Sequence, residues 1–166
     1  MNIFVAVLRE HFDYTRWATT RLLKQVALLP EEHLMRDFGT ADRSILQTLA
    51  HIYLADRIWL GRVEHSAGPF GNAAEYRLAD LESAWPLLHH RWAELLNHAT
   101  DNSADEPVTY RDLKNREWRQ PLWQVLLHTV NHGTHHRGQV VGFLRAMGYV
   151  PEPLDLIACY RERQSG

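Results

Sequence analysis

His132, His135 and His136 fall within the stretch NHGTHHRGQ, and His128 precedes them by a further helical turn. On a helix, residues four apart project from the same face, one turn apart. His132 and His136 have that spacing, so their imidazoles can converge on one cation with Zn–N bonds of about 2.0–2.1 Å. His135 points elsewhere on the helix; it can replace His136 as a ligand but hardly join it. His128 is four residues from His132, yet it stands about 12 Å from His136 along the axis, at about 1.5 Å of rise per residue. One helix therefore supplies two ligands, and a third must come from another. His51 is the best candidate, because it lies mid-helix in LAHIYLADRIWL among apolar residues. A His51/His132/His136 set of neutral imidazoles leaves one coordination place open, as in catalytic rather than structural zinc. The alternative is a bundle whose core histidines are satisfied by hydrogen bonds, since eleven histidines generate HxxxH pairs by chance.

The neighbours of these histidines bound the chemistry. No Glu lies inside the HxxxH segment, unlike HExxH metallopeptidases, which argues against peptide hydrolysis. The single cysteine, Cys159, reads as packing and rules out both a disulfide framework and a cysteine-based zinc site. Three imidazoles make Zn²⁺ the default ion, and Ni²⁺ also fits. Asn131 and Asp56 are candidates to hold an imidazole by its other nitrogen. Asp56, however, lies about 140° round the helix from His51, so a salt bridge to an arginine is its favoured role. Arg137 and Gln139 read as packing or polar contacts, with Arg137 within reach of an anionic substrate group. Gly133 and Gly138 cost about 0.5–1 kcal/mol each in a helix and are expected to admit another helix or a ligand. His11, His33, His65, His89, His90 and His98 read as surface or packing residues, and of these His11 is the one able to face a bundle.

Helical periodicity dominates the elements that must position this set. A first helix is expected over about 3–29, with Phe4, Leu8, Tyr14, Trp17, Leu22 and Val26 on its apolar face and Pro30 at its end. Thr40 can cap a second helix over about 41–63, with Asp42 in its first turn. A third fits 78–99, with Pro86 marking a kink or a later start near Trp85. VTYRDLKNREWRQ reads as two short extended pieces around a turn. Pro121 suits the first turn of a fourth long helix running to Met147, where Gly148 stops it, and a short helix follows. Four long helices make an all-α four-helix bundle with a hairpin-like segment before the last long helix. Its 166 residues suit one domain, 1–166.

Composition narrows the partners. A net charge of −2, 45% hydrophobic and 23% charged residues are ordinary for a globular chain. That balance points to a small-molecule substrate rather than to nucleic acid or a membrane. No signal peptide or spanning run is present, so a cytoplasmic location is expected.

Three segments together resemble one known family. NHGTHHRGQVVGFLRAMGYVPEPLDLI is similar to the signature segment of the DinB/YfiT-like metalloenzymes, LQTLAHIYLADRIWL to their second-helix motif, and DYTRWATTRLL to their first helix. The likeness spans nearly the whole chain and is strongest over 128–156. It implies a four-helix bundle, often a homodimer, with one divalent metal held by His51, His132 and His136. Several relatives are thiol-dependent transferases or isomerases using bacillithiol, mycothiol or glutathione. The resemblance thus implies a metal-dependent enzyme that activates an external low-molecular-weight thiol for transfer to a small electrophile. A metal-dependent hydrolase and a non-catalytic metal-binding stress or interaction protein are the alternatives. A site open to solvent favours chemistry, and a sealed one favours structure.

Overall fold

The computed structural model describes residues 3–165, with side chains from residue 5 onward; the side chain of Phe4 lies outside the described residues. Four long helices carry the fold: α1 (Ile3–Val26), α3 (Ile45–Val63), α4 (Leu78–His98) and α6 (Leu122–Ala146). Between and after them come two short helices, α2 (Glu31–Leu34) and α5 (Asp101–Asp105), and a C-terminal α7 (Leu156–Ser165). α1 packs on α4 and α6, and α3 packs on the same two. Thus α1 and α3, consecutive long helices in the chain, stand on one diagonal of an all-α bundle.

The inward faces repeat at helical spacing, as burial of one stripe per helix requires. Leu81, Trp85, Leu88, Trp92 and Leu96 of α4 are all buried, as are Leu8, Leu22 and Val26 of α1. Each such side chain taken out of water contributes about 1.5–3 kcal/mol. Tyr14 is buried away from that core, in a satellite cluster with Ala18 and Cys159 where α7 meets α1. Its hydroxyl donates to the Leu154 carbonyl at 2.8 Å.

One helix start differs from expectation and one agrees with it, each for a capping reason. α3 begins at Ile45 because Ser44, not Thr40, is its cap, accepting from the Gln47 amide at 3.2 Å. Arg43 just before it has φ 60°, so Asp42 sits in the turn that enters the helix instead of in its first turn. α4 starts at Leu78 in spite of Pro86, because the Asp80 carboxylate accepts from the Arg77 amide at 2.9 Å. Pro86 is exposed and the helix runs through it.

The extended segment is a two-stranded antiparallel hairpin, β1 (Pro107–Arg111) and β2 (Glu117–Pro121), with Tyr110 opposite Trp118. Asp112 organises its turn by accepting from the amides of Lys114 (2.8 Å) and Arg116 (2.9 Å), the Arg116 guanidinium and the Trp118 indole (3.0 Å). The hairpin lies against the C-terminal part of α3, where Tyr110 meets Trp59 edge-on at 5.0 Å. Among the described residues, no helix is long and apolar enough to cross a membrane.

Candidate metal centre

α3 and α6 face each other across the bundle, and this contact brings His51 to His132 and His136. One ring nitrogen from each lies within 4.8 Å of the others. The Nε2 atoms of His51 and His132 are 3.1 Å apart. Two nitrogens sharing one tetrahedral ion with bonds of about 2.0–2.1 Å stand roughly 3.3 Å apart, so the observed separation suits a shared ion.

The other ring nitrogens are held from behind. His136 Nδ1 lies 2.7 Å from Gln139 Oε1, an acceptor. Nδ1 therefore carries the proton and Nε2 the lone pair. Asp42 stands behind two ligands at once, with Oδ1 3.6 Å from His51 Nδ1 and Oδ2 3.6 Å from His136 Nδ1. Burial pushes His132 down to about 3, assisted by the neighbouring imidazoles. Burial also lowers His51, opposed by the Asp42 charge. Both rings are thus neutral at physiological pH and able to ligate. Three imidazole nitrogens backed by one carboxylate fit a divalent ion of the zinc or nickel type.

Neither His128 nor His135 joins the set. His128 packs edge-on to Trp59 at 4.8 Å. His135 is exposed and lies 3.5 Å from the Gln139 amide nitrogen. Arg137 is buried on another face of α6, where Nη2 donates to Thr134 Oγ1 at 3.1 Å and Nη1 approaches Thr19 at 3.5 Å. It lines a groove of about 950 Å³ with Asn131 and His11, not the space before the imidazoles. Arg137 is therefore not placed to meet an anion at the metal position, and Asn131 is not placed to hold a ligand. Among the described residues, Asp56 forms no ion pair with an arginine within 4.0 Å; it accepts from the Trp85 indole at 3.2 Å and lies 4.0 Å from His89.

In front of His51 and His132 a cavity of about 330 Å³ opens, walled by Trp59, Phe70, Tyr110 and Trp118. Sequence reasoning missed Asp42, Gln139 and this wall as parts of the site. Signals for two of them existed. Gln139 follows His136 by three residues on one helix face, and Ala55, Trp59 and Arg62 continue the stripe that starts at His51. For Asp42, in a non-periodic connector, the sequence carried no such signal.

A helical bundle that presents three imidazoles from two helices, backed by a carboxylate and open on one side, defines a candidate single-ion centre. The chain belongs to the DinB family, whose sequence model matches residues 1–164. It is similar to Protein DinB of Bacillus subtilis (strain 168), with 24% identity over 153 residues that cover 87% of this chain and 88% of that protein.

Proposed function

We propose that this chain is a divalent-metal-dependent enzyme that activates a low-molecular-weight thiol for S-transfer to a small electrophile. One observation carries the reading: two members of the histidine cluster, His51 and His132, line an open, aromatic-walled cavity instead of a sealed core. A structural ion would have its fourth place closed by protein. An ion held there supplies Lewis acidity that keeps a coordinated thiol deprotonated. The chain's own groups do the rest. His51, His132 and His136 hold the ion, Asp42 and Gln139 fix the ring orientations, and the aromatic walls exclude water from the sulfur.

Thiol chemistry is favoured over hydrolysis by the state of the nearby carboxylates. Asp42 lies behind the imidazoles and is turned to their Nδ1 atoms. Asp112, on the cavity wall, is held far below the usual carboxylate range by backbone amides and by Trp118 and Arg116. Neither is a ready general base for water. The only cysteine is Cys159, buried against α1, so the thiol comes from outside. The reading keeps a small-molecule electrophile as substrate and a homodimer in the cytoplasm as the working form.

The test has two arms. Tag-free protein should carry about one equivalent of divalent metal, and His136→Ala should lose it; equal metal in both removes His136 from the centre. The metal-loaded protein should conjugate bacillithiol, mycothiol or glutathione to a model electrophile faster than background. Background rates with all of them favour the non-catalytic alternative.

A further inference from the structure

The cavity before the imidazoles does not end at the hairpin. It continues into a second cavity of about 420 Å³, and the two share Ile58, Arg62, Phe70, Tyr110, Asp112 and Leu113. One stripe of α3 forms the floor: His51, Ala55, Ile58 and Arg62. Eleven residues separate the ends of that stripe, about 16 Å of helix axis. Arginine side chains lean back toward the helix N-terminus, here toward His51. The gap from the imidazole cluster to the guanidinium is therefore roughly 10 Å.

Arg62 is an unusual end to this trough. It is 9% exposed, and its guanidinium lies over both the Trp59 ring (4.3 Å) and the Tyr110 ring (4.7 Å). Among the described residues, one of its five N–H groups finds an acceptor: Nη2 donates to the Arg111 carbonyl at 2.9 Å. Among the described residues, no carboxylate oxygen comes within 4.0 Å of it. The nearest acid on the trough wall, Asp112, spends both oxygens on Arg116, Trp118 and the turn amides. A desolvated guanidinium with free donors, fixed by two aromatic faces, is suited to receive a planar carboxylate in a bidentate fork. Apart from Asp112, the walls between it and the imidazoles are apolar or aromatic.

We propose that Arg62 is the anion anchor of this site, and that the ligand reaching the imidazole cluster is an elongated, largely apolar molecule whose far end carries a carboxylate. The span of the ligand rests on the metal-centre reading above; the anchor itself does not.

Probes of matched length separate the two. Calorimetry on the zinc-loaded protein compares octanoate with octanol in wild type, Arg62→Gln and Arg62→Lys, with melting curves as a check on folding. Wild type should prefer octanoate by about tenfold, the size expected for a charge-assisted hydrogen bond. Arg62→Gln should lose that preference, and Arg62→Lys should keep a few-fold remainder. Equal binding of the two probes by wild type overturns the anchor, even if Arg62→Gln fails to fold. So does an octanoate preference that survives in Arg62→Gln, which would place the carboxylate elsewhere, such as the groove beside Arg137. Cobalt-loaded protein with 8-mercaptooctanoate then reads the span through the thiolate-to-cobalt absorption band. Binding tighter than that of 8-mercaptooctanol, with the gain lost in Arg62→Gln, shows one molecule bridging both ends. An Arg62-dependent gain with the short 3-mercaptopropionate overturns the elongated ligand. A missing cobalt band beside an intact octanoate preference sinks the thiol reading and leaves the anchor standing.

Discussion

Asp42 has the most specific geometry of the residues that the sequence did not mark as part of the site. Its two oxygens are shared between His51 and His136, each at 3.6 Å from Nδ1. Such a carboxylate orients both rings and raises their basicity toward an ion. Asp42→Asn keeps the shape and removes the charge. Metal affinity should fall about 10–100-fold, read by competition with a chromophoric chelator, while the melting temperature of the metal-free protein stays nearly unchanged. Unaltered affinity would mean that Asp42 is a bystander. Geometry in the sequence reached His132 and His136 because a helix converts a spacing of four into a shared face. It reached His51 because a histidine amid apolar residues needs a partner. Asp42 lay beyond it, since its position depends on Arg43 adopting φ 60° and on Ser44 capping α3.

At the scale of elements, the helices were legible wherever one apolar stripe repeats, and the hairpin wherever two extended runs flank a polar turn. The short helices α2 and α5 were not, because four or five residues carry no periodicity. Gly133 and Gly138, two of the three glycines of α6, show a finer limit. Both were expected to admit a neighbour. A Cβ at Gly133 would lie 2.8 Å from Arg137 Nη1, so what comes close is a side chain of the same helix; a Cβ at Gly138 meets nothing within 4 Å. The two alanine substitutions should therefore differ in sign. Gly138→Ala should stabilise the protein by about 0.5–1 kcal/mol, the helix-propensity gain. Gly133→Ala should destabilise it by about 1–3 kcal/mol, because the buried guanidinium must leave its contacts with Thr19, Thr134 and Tyr14 to admit the methyl group. Urea unfolding of both variants decides this. A stabilised Gly133→Ala would show that Arg137 relocates freely.

On the scale of the whole molecule, the bundle encloses a second polar set away from the imidazole cluster. Asp56 of α3, His89 of α4 and Arg137 of α6 are all buried, and among the described residues His89 Nε2 and Arg137 Nε have no hydrogen-bond partner. Burial pushes Asp56 up to about 6, partly offset by the Trp85 hydrogen bond and the Arg137 charge. Burial, with the Arg137 charge beside it, takes His89 down to about 3. The two shifts act on stability with opposite sign. Between about pH 4 and 6 the folded chain holds a proton on Asp56 that the unfolded chain has released, so this group makes stability fall as pH rises. Over the same range the unfolded chain protonates His89 and the folded chain does not, so that group makes stability rise with pH. Each contributes up to about 1.4 kcal/mol per pH unit, and together they nearly cancel. Asp56→Asn removes one side of the balance. Its stability should climb with pH across this window more steeply than that of wild type, by up to about 1.4 kcal/mol per unit. Urea unfolding near pH 4, 5 and 6, with chelator present so that metal binding adds no slope of its own, measures the difference. Parallel curves for the two proteins would mean that Asp56 stays ionised inside the bundle, with Arg137 compensating it across the core.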